Sequence, residues 1–433
     1  MSVDSTPDIT VARHDPYGVP ADDVAASQEW LACLRETCDL LWPPPAEVTL
    51  DVDGAGWPGR RHAARQPDSV FALIPALHRP PLLVPTDRRS AAAAVRHYSA
   101  TRSPAARLYV RVLAAGLASG LGRILLRGKV WVDAPTGADT IERYLRSVMS
   151  PDVRVSIELG RARANRKPVL QILSGSGEAV GFAKIGVNPL TSSLVRAEYE
   201  SLERLSKAGL REIAIPEVLH YDTWHDLDVL VLSALPAWRP RRPLPATRLA
   251  AAMAELARVD GLHSEPLAGG RYLRRLSSRL ASADEGPEHT ALVQALEVVA
   301  ARADSAILTF GCWHGDWAPW NMANTGRGLL VWDWERFTGG VPLGFDALHY
   351  WLQSEVGMSR RDPRTAAAAC LERAPQLLGS FGIPARDAQL TAVLYLADLA
   401  TRYLVDRQAQ AGARLGAPGT WLIPAIISKL DRL

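Results

Sequence analysis

Three short apolar runs in close succession most constrain how this chain folds. They are VRVSIEL (Val153 to Leu159), PVLQIL (Pro168 to Leu173) and AVGFAKI (Ala179 to Ile185). Each is too short for an ordinary helix, and each is bounded by turn residues. SGSGE, Ser174 to Glu178, reads as a hairpin turn between the second and third. Such a series buries its apolar side chains as a small antiparallel sheet. A helix is expected from about Ser192 to Ala208, then two more strands over Glu217–Tyr221 and Val229–Leu232. Beyond Leu235 the spacing is mostly helical, except from Cys312 to Gly340, where short strands and loops carry a dense set of polar residues. LPAWRPRRPLP, Leu235 to Pro245, is dense in Pro and Arg and reads as the hinge between a β-rich and an α-rich part. The pattern predicts an α+β fold: a β-rich part over 151–235, a helical part over 236–433, and an additional N-terminal region over 1–150.

That N-terminal region is less legible. Residues 1 to about 65 are rich in Pro, Asp and Gly and read as partly disordered or a loose cap, with a helix only over Ala25–Leu41. FALIPAL and PLLVP between Ser69 and Pro85 read as short strands or loop around prolines. Helices are expected near Ser90–Tyr98, Pro104–Leu121 and Thr140–Met149, with a strand over Ile124–Val132. At 433 residues the chain is long enough for two or three folding units. A formal net charge of +3 gives no global case for nucleic-acid binding. Cys33, Cys38, Cys312 and Cys370 lack zinc spacing and read as reduced thiols. The polar N-terminus is not a signal peptide. The most apolar stretch, Tyr109 to Leu126, is broken by Arg111 and Arg123 and falls short of the ~20 residues that cross a bilayer. The expectation is a cytoplasmic protein with neither nucleic-acid nor membrane partners; the oligomeric state is left open.

The chemistry concentrates in C-W-H-G-D-W-A-P-W-N-M, Cys312 to Met322, and in D-W-E, Asp333 to Glu335, which follows the apolar run LLVW. A carboxylate (Asp316) beside an amide (Asn321), followed by a strand delivering a second carboxylate (Asp333), suits phosphoryl transfer. That reaction needs little beyond positioning and charge neutralisation. Asp316 can take the proton of an incoming hydroxyl. Asn321 and Asp333 offer the hard oxygens that Mg2+ prefers, and Glu335 is a further metal candidate. Gly315 gives the loop backbone room to turn.

The motif resembles that of the aminoglycoside phosphotransferase and choline-kinase-like family, H-G-D-x-x-x-x-N followed by a short strand and D-x-E. His314, Gly315, Asp316, Asn321 and Asp333 match position by position. The resemblance spans roughly Val153 to Gly412 and implies a bilobal protein-kinase-like fold, ATP as donor with GTP left open, Mg2+, and a small-molecule hydroxyl acceptor. It implies that His314 organises the loop and that Asp346 anchors it.

The β-rich part is then expected to hold the nucleotide. Leu194, Glu198, Leu202 and Leu205 share one face of the predicted helix, which puts a carboxylate on an apolar stripe. A buried carboxylate needs a cation, and Lys184 in GFAKIG is the candidate. Ser233, Ala234 and Leu235 resemble the hinge that meets the adenine edge. The loop ELGRARANRKPV departs from the kinase pattern, with Gly160 as its one glycine; Arg161, Arg163 and Arg166 are as readily solvated as phosphate-binding.

Residues 340–433 hold eight acidic and ten basic positions, which argues against a pocket for a polycationic acceptor. Trp313, Trp317, Trp320, Trp332, Trp334 and Trp351 crowd the motif. Most read as core, with Trp317 or Trp320 as a stacking wall for a sugar, or as a cage for a choline-like amine. A sugar or polyol is the favoured acceptor. The alternative is a weak or inactive kinase-like nucleotide-binding or scaffold protein. A protein kinase would want H-R-D, D-F-G and A-P-E, which are not in place.

Overall fold

The computed structural model describes residues 21–51, 67–76, 79–98, 104–120, 126, 128–159, 163–302, 305–326, 328–413 and 415–431. Gly160 and Arg161 lie outside them. The chain divides into two compact units: Met1–Arg161 with Pro168–Phe182, and Ala162–Lys167 with Ala183–Leu433.

The first unit is built on an antiparallel sheet. In chain order its elements are α1 (Ala21–Leu41), β1 (Glu47–Asp51), β2 (Ser69–Ala76), β3 (Arg79–Pro85), α2 (Arg88–Tyr98), α3 (Pro104–Ser119), β4 (Lys129–Asp133), α4 (Ile141–Val148), β5 (Arg154–Glu158) and β6 (Val169–Leu173). The strand order is β1-β4-β2-β3-β5-β6. The proline-flanked run over Ser69–Pro85 therefore forms a strand pair, with Leu73 opposite Leu83. Leu83 of β3 in turn lies opposite Ile157 of β5, so the sheet continues across Pro151. Helices α2 and α3 cover one face, burying Ala91, Val95, Val110 and Leu117 with Ile74, Val84 and Leu173. Glu142 on α4 is buried and accepts from Trp42 Nε1 at 3.2 Å and Ser69 Oγ at 3.0 Å, which ties α1, β2 and α4 together.

In the second unit the end of β7 (Ala179–Gly186) leads into α5 (Pro189–Leu205), which begins three residues earlier than its apolar stripe suggested. Asn188 caps it: its side chain accepts from Thr191 N, Thr191 Oγ1 returns the bond, and Pro189 sits in the first turn. After β8 (Ile213–Ala214), β9 (Val218–Trp224) and β10 (Leu227–Ser233) pair as a hairpin. His225 and Asp226 at its tip both take positive φ, 46° and 61°, as a tight hairpin turn requires. The helical part holds α6 (Ala246–Ala257), α7 (Arg271–Leu280) and α8 (Pro287–Arg302), then β12 (Ile307–Trp313). Beta strand β12 lies between β11 (His263–Pro266) and β15 (Thr338–Pro342), while β13 (Met322–Asn324) pairs with β14 (Leu329–Val331). The chain ends in α9 (Phe345–Gln353), α10 (Pro363–Leu378), α11 (Ala385–Val405) and α12 (Leu422–Leu430).

Helix α11 is buried on nearly all sides from Thr391 to Arg402, so it is the axis of the helical core. Two apolar clusters flank the polar motif. One gathers α7 to α12 around Tyr395, Phe345 and Trp313. The other joins α5, β10 and α6 to Trp317, Met322, Val331 and Trp334. The motif is thus held between two packed bodies of the same unit. Among the described residues, no helix is long and apolar enough to cross a membrane.

Candidate active site

The loop from Trp313 to Asn321 begins where β12 runs out of partners, and its backbone is pinned by Asp346 at the start of α9. Asp346 accepts from His314 N at 2.8 Å and from Gly315 N at 3.4 Å. Burial pushes its carboxyl up to about 7, against the pull of these two N–H donors. Gly315 takes φ 82°, and a Cβ there would run into the Arg336 carbonyl, so only glycine fits this turn. Arg402 on α11 donates to Gly315 O at 2.6 Å.

His314 is fully buried and bridges two loops. Its Nδ1 accepts from Asp316 N at 3.1 Å, so the proton is on Nε2, which donates to Trp332 O at 3.1 Å. Burial lowers its pKa to about 4, and a neutral ring is what this bonding needs. The imidazole therefore ties the Asp316 backbone to the residue just before Asp333.

The Asp316 carboxylate is held by two neutral donors. Asn321 Nδ2 reaches Oδ2 at 2.9 Å and also the Asp316 carbonyl at 2.9 Å. With its NH2 so committed, the Asn321 amide oxygen faces the other way. His349 Nε2 lies 3.0 Å from Oδ1, and its Nδ1 lies 3.0 Å from Tyr395 Oη. Burial depresses the His349 pKa, which keeps the ring neutral. An ionised carboxylate can only accept, so His349 donates through Nε2 and receives the Tyr395 hydroxyl proton at Nδ1. Burial would raise the Asp316 pKa. The His349 hydrogen bond and the nearby Arg402 charge outweigh it and hold Asp316 below the usual carboxylate range.

The second corner is ionic. Lys184 Nζ reaches Glu198 Oε1 at 2.7 Å, Glu198 Oε2 at 2.6 Å and Asp333 Oδ1 at 2.7 Å. Glu198 also accepts from Trp334 N at 3.1 Å. Burial works against the Lys184 charge, but Asp333 and Glu198 more than offset it and raise its pKa. Burial likewise opposes ionisation of Asp333, and Lys184 followed by Lys167 drives it well below the usual range. Asp333 takes φ 73°, a left-handed conformation that costs a non-glycine residue on the order of 1 kcal/mol or more. Such strain persists where the surroundings hold it, and here it turns the carboxylate onto Lys184. Lys167 pairs with Glu335 Oε2, and Asn165 Nδ2 donates to Glu335 Oε1 at 3.2 Å. Oxygens of Glu198, Asp333 and Glu335 all lie within 4.8 Å of one another, the spacing of a divalent-cation site.

The structure thus brings together two groups of the sequence-expected residues. His314, Asp316 and Asn321 form one; Lys184, Glu198, Asp333 and Glu335 form the other, and His314 links them. Ser233 closes β10, Ala234 and Leu235 follow it, and Leu235 packs against Ala237, Ala323 and Leu330. The Ser233 amide is already bonded to Glu217 O at 2.8 Å and its hydroxyl to Glu217 N at 2.8 Å, so Ser233 is a poor candidate for reading a base edge. Trp317 is no stacking wall: it is fully buried, with Nε1 on Met322 Sδ at 3.1 Å. Trp320 is half-buried and lies against Gly357. Sequence reasoning missed Lys167, His349, Tyr395 and Arg402. His349 had a signal: it stands three residues after Asp346, on the same face of α9. Lys167, Tyr395 and Arg402 had none, because their partners lie far away in the chain.

In class this is an α+β chain, with an antiparallel sheet and a helical part. Residues 182–378 match the model of the phosphotransferase enzyme family, APH, so the resemblance read from His314 to Asp333 holds over that segment. Among solved structures, the chain is similar to aminoglycoside phosphotransferase APH(4)-Ia in ternary complex with ADP and hygromycin B. That match has 15% identity, 67% of this chain and 98% of that one, and a TM-score of 0.43. It is also similar to choline kinase LicA from Streptococcus pneumoniae (14%, 68% and 98%, 0.45) and to the amicoumacin kinase hAmiN complexed with AMP-PNP, Ca2+ and Ami (11%, 67% and 93%, 0.40). No curated protein matches the chain.

Proposed function

We propose that this chain is an ATP-dependent phosphotransferase that moves the γ-phosphate to a hydroxyl of a small molecule. The supporting observation is the His314 bridge, which fixes Asp316 relative to the strand end that carries Asp333. Asp316 is the base: it takes the acceptor's hydroxyl proton as that oxygen bonds to the γ-phosphorus and the bond to the leaving diphosphate breaks. His349 and Asn321 orient the carboxylate without neutralising it. Lys184, held by Glu198, would meet the nucleotide phosphates, and the backbone of Ala234 and Leu235 would meet the adenine. Asp333, Glu335 and the Asn321 amide oxygen would hold Mg2+, whose chemistry is to neutralise triphosphate charge. In this division 151–235 handles the nucleotide and 236–433 the chemistry and the acceptor.

A neutral sugar or polyol suits the helical part better than a polycation. Of the eight acids over residues 340–433, Asp346 holds the loop, Glu355 pairs with Arg361, Asp362 caps α10, Asp398 pairs with Arg279 and Asp406 with Arg336. Few carboxylates are left to collect cationic groups. Trp320 is the aromatic face available for a sugar ring.

The test is transfer of labelled γ-phosphate to a panel of sugars, amino alcohols and aminoglycosides, with Asp316→Asn as control. Transfer to a polyol, abolished in the variant, is the expected result. Tight nucleotide binding with no transfer to any acceptor would favour the scaffold reading.

A further inference from the structure

The metal-like cluster already contains two cations, and only one of them has a role in the scheme above. Lys184 sits between Glu198 and Asp333. Lys167, 7% exposed in its side chain, sits on Glu335, with Asn165 on the other oxygen. Residues Ala162–Lys167 belong to the second unit while the chain on either side belongs to the first. Pro168 restricts Lys167 to extended backbone, which fixes where its side chain starts.

We propose that Lys167 is a triphosphate ligand, held on Glu335 until metal and nucleotide arrive; this rests on the phosphotransferase reading. Three carboxylates this close repel one another and need cations. The Lys167 ammonium sits on the Glu335 oxygen that Asn165 leaves open, so a divalent cation that binds this oxygen competes with Lys167 and displaces it. A buried ammonium without a counter-charge is costly, and the anion that enters with the metal is the triphosphate. The exchange pairs every charge: metal on Asp333 and Glu335, Lys167 on phosphate oxygens. It also supplies what the loop lacks. A kinase loop covers the phosphates with glycine-rich backbone, but here Gly160 is the single glycine and a lysine follows seven residues later. A purely structural ion pair would leave the site's ligand affinities alone, or weaken all of them together.

Titration calorimetry on the full chain separates these cases, using Mg2+ alone and MgATP with wild type, Lys167→Met and Lys167→Arg. Lys167→Met is expected to bind MgATP roughly ten- to a hundredfold more weakly. The same variant should bind Mg2+ alone at least as tightly as wild type, because a competing cation is gone. Lys167→Arg keeps the charge and should recover most of the MgATP affinity, which also guards against a folding defect in the Met variant. Unchanged MgATP affinity in Lys167→Met, or a parallel loss of Mg2+ and MgATP binding, overturns the proposal. Wild type that binds no MgATP sinks the phosphotransferase reading itself, a different result from a variant that matches a binding wild type.

Discussion

The two halves of the site hold their carboxylates in opposite ways. Asp316 is gripped by neutral donors, Asn321 and His349, with Arg402 nearby on the Gly315 carbonyl. Asp333, Glu198 and Glu335 are gripped by ammonium groups, Lys184 and Lys167. A neutral grip fixes geometry and leaves the negative charge in place, as a base requires. An ionic grip cancels charge and can be exchanged for another cation, as a metal and phosphate site requires. Carboxylates are thus suited to different chemistries according to the partner each is given.

Replacing Asp316, the proposed base, breaks the comparison most severely. Asp316→Asn should lower turnover by about 10³-fold or more while nucleotide affinity stays within about twofold, read from steady-state rates and calorimetry. At the ionic corner, Glu198→Gln leaves Lys184 to Asp333 alone. We expect kcat/KM to fall about a hundredfold with a raised KM for nucleotide, the reverse of the Asp316 pattern. Equal nucleotide KM in the two variants would dissolve the distinction.

The grip itself is tested by His349→Phe, for which a roughly tenfold loss of kcat is expected. The sign of the pH effect follows from the geometry. Asp316 is held below its ordinary pKa, so activity persists in acid until the pH falls through that depressed value. Removing the His349 bond raises it, and the acid limb of the kcat/KM profile should move to higher pH. Tyr395→Phe leaves His349 in place and should shift the limb less.

The smallest effect is on stability. His314 is neutral when folded, with a pKa near 4 against an ordinary value of 6.5. Between these values the unfolded chain binds more protons, so stability drops as pH falls from about 6.5 to 4. Denaturant unfolding of His314→Gln should be less stable at neutral pH yet lack that part of the acid loss.

Much of this site was legible because its residues are close in the chain or periodic. H-G-D-x-x-x-x-N and the acid after LLVW form a local spacing, and Glu198 stood out as the polar break in an apolar helical stripe. The N-terminal sheet was hidden because strands such as β2 and β3 are interrupted by prolines, and their pairing with β4 and β5 depends on distant partners. The start of α5 was misplaced because its cap, Asn188 with Thr191, lies outside the apolar repeat.

By itself, the sequence determined which chemical groups are present and which of them share a loop, a strand or a helix face, because covalent spacing and backbone periodicity act over a few residues. Only the tertiary structure decided which carboxylate meets which donor. His349 on α9 and Tyr395 on α11 reach Asp316, and Lys167 reaches Glu335, through burial that ordered distant segments into contact. A side chain's charge is written in its identity, but its partner is chosen by packing.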